Sequence, residues 1–296
     1  MQMNNLQVNY NSWMKEDPSS QASTYFEWCF EQRCQGISQG EKVLNEWRTR
    51  KESYCSFIRT TIYDFQHYSR HDASHSINIL NYVEMVLGRK RVQMLSVADL
   101  WAMLECAYFH DIGMTITYKQ MVELWRDDRF KQFLNQKVAS DDIDLKKAYE
   151  YYKRIDNLIN ERPEEEGLEG SMTDDFMDSW PVELQRYVQL LMTDYIRRHH
   201  SMRSKEKMQE INAKLHLSAF VSFIPERLYN IVAEIAFLHN ENFEDIYKNL
   251  NYSEIGFDTE RLHPQFIAAM LRLGDLLDMD NNRFDQKAID HFGSLP

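Results

Sequence analysis

Six side chains carry the chemistry this chain could do: His75, His110, Asp111, His200, His239 and Asp275. His110 and Asp111 are neighbours in Phe109-His110-Asp111-Ile112-Gly113, at the end of an apolar stretch. A carboxylate placed among apolar residues costs roughly several kcal/mol unless its charge is compensated. A metal ion compensates it, and an adjacent imidazole is a usual co-ligand. Four His and two Asp suit one or two first-row divalent ions: manganese, iron, cobalt or nickel, with magnesium at a more oxygen-rich position. Asp111 is the natural bridge between two ions, because His110 beside it binds one of them. Asp275 lies in the nearly apolar run from Phe266 to Asp278, where it is either a ligand or the buried partner of Arg272 or Arg283. His67, His216 and His291 read as satisfied core residues rather than ligands. His199 is a neighbour of His200, and His263 opens a helix before Pro264.

These groups need helices to bring them together. Ser96 with Asp99 three residues on is a capping-box start for a helix to Phe109, and Gly113 is its stop. The stripe Ile77, Leu80, Val83, Val86, Leu87 puts His75 at the start of a helix that ends at Gly88. A helix from near Pro181 carries Leu184, Val188, Leu191 and Tyr195 and ends at His200. One from near Pro225 carries Leu228, Val232 and Ile235 to His239. One from near Pro264 carries Ala268, Leu271, Asp275 and Asp278 on one face. Trp28, Phe30, Trp47, Phe57 and Phe65 are aromatic anchors of helices nearer the N-terminus.

The 296 residues are 43% apolar, with only 9 Gly and 6 Pro, which favours long helices over a sheet protein. The expected architecture is all-α. Residues 1–20 form a flexible tail, 21–54 helices that pack on the core, and 55–296 the main domain. That domain contains an insertion at 115–180, with an acidic loop at 161–175 that is a solvated insertion or a regulatory arm. Cys29, Cys34, Cys55 and Cys106 form no CxxC pair and read as reduced thiols in a cytoplasmic protein. No stretch is long and apolar enough to span a bilayer. A net charge of −12, with no basic tract, argues against loose binding of long nucleic acid but not against one nucleotide in a pocket.

The order His75-Ser76, then His110-Asp111-Ile112-Gly113, then Leu271-Arg272-Leu273-Gly274-Asp275 resembles the HD superfamily of metal-dependent phosphohydrolases, whose pattern is His…His-Asp…Asp. His200 and His239 look like the two intermediate histidines of members with a dinuclear site. His71-Asp-Ala-Ser-His75, Ala107–Met114, Arg198–Arg203 and Arg272–Asp280 resemble, more narrowly, the HD-CE-like domains of bacterial multidomain proteins. Those often stand beside a GHKL-type, heat-shock-chaperone-like ATPase domain, and the resemblance carries the expectation of a role in bacterial defence. No Gly-rich nucleotide-binding segment of such an ATPase occurs in these 296 residues.

The resemblance covers about residues 55–285. It implies an all-helical bundle around a mono- or dinuclear metal site and hydrolysis of a nucleotide or nucleotide-like phosphate ester. In that scheme Asp111 is catalytic as well as a ligand. His71, one helical turn before His75 if that turn is helical, is a candidate to protonate the leaving oxygen. Arg203 and Arg272, each close in sequence to a proposed ligand, and after them Arg283, are the candidates to bind the substrate phosphate, or else form structural salt bridges. Many HD phosphodiesterases carry Lys after His-Asp-Ile-Gly, where this chain has Met114. That departure raises an alternative, a catalytically weak module that binds a nucleotide and signals to an attached domain. Some HD proteins instead hold a di-iron centre and oxidise small molecules, a third possibility for the same ligand set.

Overall fold

The computed structural model describes residues 22–64, 73–137, 146, 149, 150, 153, 182–217 and 222–278. Among them are eleven α-helices: α1 (Tyr25–Cys34), α2 (Gly40–Asp64), α3 (Ala73–Leu87), α4 (Arg89–Met94), α5 (Val97–Phe109), α6 (Tyr118–Arg126), α7 (Asp128–Lys137), α8 (Val182–Leu217), α9 (Glu226–Leu238), α10 (Phe243–Asn249) and α11 (Pro264–Leu277). A single 3-10 turn, Ile112–Met114, follows α5. The strands β1 (Glu254–Ile255) and β2 (Arg261–Leu262) form a small antiparallel ladder before α11. The chain is thus an all-α bundle. None of the described helices is long and apolar enough to cross a membrane.

Helix α5 is the axis of this bundle. All thirteen of its residues are buried, including Leu100, Trp101, Leu104 and Phe109. A helix apolar on every side has to be wrapped by others, and α1, α2, α3, α9 and α11 do so. Each such side chain contributes roughly 1.5–3 kcal/mol by leaving water. Ser96 caps the helix by accepting from the Asp99 N–H at 2.9 Å. The capping box is only half formed, because the Asp99 carboxylate turns away to take the backbone N–H and Nδ1 of His263 at 2.8 and 2.9 Å. That contact ties the start of α5 to the start of α11.

A second, smaller core sits beside the first. Ile116, Leu124, Phe130 and Leu134 from the α6–α7 layer meet Leu191, Met192, Tyr195 and Ile196 of α8. Met114 is buried in this core.

Three expectations change. First, α8 does not end at His200 but runs on to Leu217, as its 36 residues contain neither Gly nor Pro to stop it. Second, the buried face of α3 is His75, Ile79, Leu80 and Val83, while Val86 is exposed; the face that meets α5 and α11 is rotated from the Ile77 stripe. Third, Phe57 is exposed on α2, whereas Phe30 and Trp47 are buried anchors and Trp28 is partly buried. Helix α2 passes residues 54 and 55 without interruption. The 1–20 tail, Phe65, His67, His291 and the acidic loop at 161–175 lie outside the described residues.

Candidate metal centre

Five helices deliver the six donors to one place. His75 comes from the first turn of α3, His110 caps the end of α5 and Asp111 follows it. His200 is in the middle of α8, His239 caps the end of α9, and Asp275 is in the last turn of α11. Around Oδ2 of Asp111 stand Nε2 of His75 at 3.5 Å and Nε2 of His110 at 3.3 Å. Those two nitrogens are 3.3 Å apart, and Oδ1 of Asp275 is 3.3 Å from His75. Around the other oxygen, Oδ1, stand Nε2 of His200 at 3.2 Å and Nε2 of His239 at 4.0 Å, themselves 3.1 Å apart. Each carboxylate oxygen of Asp111 therefore faces its own pair of imidazoles. The triads His75–His110–Asp275 and His110–Asp111–His239 each bring their donor atoms within 4.8 Å of one another.

The outward nitrogens fix which ring nitrogen faces the cluster. Nδ1 of His110, His200 and His239 lies 3.1, 2.6 and 2.5 Å from the carbonyl oxygens of Ala107, Arg197 and Ala236. Each carbonyl sits three residues back on the histidine's own helix. A carbonyl only accepts, so Nδ1 carries the proton and the neutral ring keeps its lone pair on Nε2. His75 uses the carboxylate of Asp278 instead, 2.6 Å from Nδ1, and Asn78 donates to the other Asp278 oxygen at 3.0 Å. This is the carboxylate–histidine pairing that orients metal ligands.

Charge in the cluster is distributed unevenly. Burial works against protonating His75, but the carboxylates of Asp111, Asp275 and Asp278 overcome it and push the ring up to about 10. For His200 burial is likewise outweighed, by the hydrogen bond and charge of Asp111, and its pKa is raised. His239 is held down to about 3 by burial, reinforced by the charges of His110 and His200. Asp275 falls to about 2; burial opposes this, but the hydrogen bond to His75 and the charge of His110 prevail.

Local packing holds the Asp111 turn against α8. Gly113 is not simply a helix stop. A Cβ there would stand 2.0 Å from the His200 carbonyl oxygen and 2.6 Å from the Ser204 nitrogen, so only glycine lets the turn lie on α8. The fully buried Ser204 hydroxyl donates to the His110 carbonyl at 2.6 Å and accepts from the Gly113 N–H at 2.8 Å. Gly274 allows the equivalent approach of α11 to α3, where a Cβ would meet Ile79 and Val83 at 2.9 Å.

The arginines are placed differently from the ligand set. Arg203 donates from Nε to the Gly113 carbonyl at 2.8 Å and from Nη2 to the Thr115 carbonyl at 3.1 Å, bracing the same turn. Burial lowers its pKa. Arg272 donates from Nη1 to the Glu241 carbonyl just beyond His239. Asp275 thus faces His75 rather than Arg272. His71 and Arg283 lie outside the described residues.

Sequence reasoning passed over the support of the centre. Asp278 stood on the Asp275 face of an apolar run, a signal that it too needs a partner. Asn78 and Ser204, one turn after His75 and His200, gave no such signal.

The family model of HD-CE matches residues 65–295. No curated protein matches the chain, and no solved structure does.

Proposed function

The chain belongs to the HD-CE family, and from that premise we propose that it is a metal-dependent hydrolase of phosphate esters, acting on a nucleotide or nucleotide-like substrate. One observation carries this reading. Four imidazole Nε2 atoms and the carboxylates of Asp111 and Asp275 point at one another across 3.1–4.0 Å. So many potential ligand atoms facing inward repel unless protons or metal cations lie among them, and ligation replaces the former by the latter. The donor set of imidazole and carboxylate fits first-row divalent ions.

Bound there, such ions supply a lowered pKa for water and charge neutralisation for a phosphoryl group. The residues of the chain do the rest. His75, His110 and Asp275 form one half of the set, His200 and His239 the other, and Asp111 serves both through its two oxygens. Asp278 holds His75 in orientation and draws off its positive charge when the ring is protonated. His75, His110, Asp111 and His239 are buried, so a substrate approaches past the more exposed Asp275 and His200.

Three residues favour a second reading, a nucleotide-binding module with weak catalysis. Met114 is in the core, and Arg203 and Arg272 spend nitrogens on backbone carbonyls. Turnover distinguishes the two. The manganese-loaded chain is assayed against nucleoside phosphates, cyclic nucleotides and short single strands, beside Asp111→Ala. Multiple turnover by the wild type and none by the variant supports the hydrolase. Nucleotide binding that raises the melting temperature with no product formed supports the module. Oxygen consumption with iron would point to an oxygenase instead.

A further inference from the structure

Exposure among the six donors is concentrated on two. Of the six donor side chains, Asp275 retains 26% exposure and His200 11%, against 8% or less for the others. Asn240, exposed and the first residue past His239, stands beside His200. Its Nδ2 lies 3.0 Å from the His200 Nε2. Ligation requires the neutral ring; with its proton on Nδ1 and committed to the Arg197 carbonyl, Nε2 accepts and the Asn240 amide donates. The loop that presents Asn240 is fastened by Arg272, which reaches from α11 to the carbonyl of the next residue, Glu241.

A ring nitrogen has one in-plane lone pair, which serves an amide N–H or an ion but not both. Loading the centre therefore displaces the Asn240 amide from Nε2 and leaves a polar N–H donor beside a cation, on the side of the two more exposed donors. Two positive ends in proximity are relieved by an anionic oxygen between them. We propose that Asn240 is the hydrogen-bond donor for a phosphoryl oxygen of the substrate, presented at the mouth of the metal centre by the Arg272–Glu241 contact. The assignment rests on the phosphohydrolase reading and adds to it the residue that recognises the phosphate.

The test is calorimetric and needs no turnover. Wild type, Asn240→Ala and Asn240→Asp, all full-length, are titrated with manganese and then, loaded, with inorganic phosphate. The Asn240→Ala chain should bind manganese at least as tightly as wild type, since a competitor for His200 is gone. Its phosphate affinity should fall on the order of tenfold, the loss expected for one hydrogen bond to a charged group. Asn240→Asp should bind phosphate more weakly still, because its carboxylate repels the ligand. Equal phosphate affinity in all three loaded proteins would overturn the assignment. Loss of manganese binding in Asn240→Ala would also overturn it, by making the amide a brace for His200. A wild type that binds no manganese would remove the phosphohydrolase reading and this assignment together. If the wild type binds both ligands and the variants match it, the Asn240 assignment alone fails.

Discussion

Replacing Gly113 by alanine tests how the fold positions the centre. The added Cβ would lie 2.0 Å from the His200 carbonyl oxygen, so the turn and α8 must part by about 1 Å to reach even 3.0 Å, the closest approach side-chain carbons tolerate. Neither partner can yield by rotating a side chain, because both are backbone. Parting them stretches the Gly113 N–H to Ser204 bond of 2.8 Å, the Ser204 to His110 bond of 2.6 Å and the Arg203 to Gly113 bond of 2.8 Å. At about 1 kcal/mol for each bond the expected loss is about 3 kcal/mol, at the upper end of overpacking costs. In a chain of this size that lowers the melting temperature by roughly 5–10 °C. The same movement separates Asp111 from His200, now 3.2 Å apart, by more than the roughly 0.2 Å that ligation tolerates. Manganese affinity should therefore drop on the order of a hundredfold. Thermal melts of the metal-free proteins and manganese titration measure the two effects separately. Gly36→Ala is the control, because its Cβ would meet nothing closer than 3.5 Å. If Gly113→Ala melts with wild type and binds manganese equally, the turn does not depend on its contact with α8, and the account of how Asp111 is positioned is wrong.

Two other outcomes follow from the groups around the donors. Asp278→Asn keeps the shape but removes the charge that orients His75; manganese binding measured by titration should weaken about 10- to 100-fold, and unchanged affinity would show that Asp278 plays no part in ligation. In the metal-free protein His75, raised to about 10, adds stability that is full below its unfolded pKa near 6.5 and is lost as the pH climbs from there toward 10. His239, held at about 3, acts oppositely: its effect is lost as the pH falls from about 6.5 toward 3. Denaturant midpoints of the metal-free protein should decline on both sides of about pH 6.5, with His75→Gln reducing the alkaline decline between pH 6.5 and 8.5 to the part that His200 contributes; a decline as steep as in wild type would refute the assignment.

The helical bundle was legible because the chain is poor in Gly and Pro and its apolar stripes are long. Caps and stops at Ser96, Gly88, Pro225 and Pro264 gave usable boundaries. The six donors could be singled out because imidazoles and carboxylates on apolar faces violate the pattern around them, and the structure brings all six together. What escaped was set by contacts between distant segments. Nothing local shows that Asp99 prefers His263 to its own helix start, or that Ser204 bridges His110 and Gly113. Arg203 looked available because sequence cannot show that two carbonyls of the Asp111 turn would claim its guanidinium. Asn240 was missed because a lone Asn after a histidine carries no pattern until His200, from another helix, stands against it.

The most direct test of the centre is a count of ions. Metal-free wild type and Asp111→Ala are dialysed against manganese, and the metal per chain is measured by elemental analysis. Two ions per wild-type chain, with both lost when the shared carboxylate is removed, is the predicted result. A wild type that retains no more manganese than Asp111→Ala would contradict it.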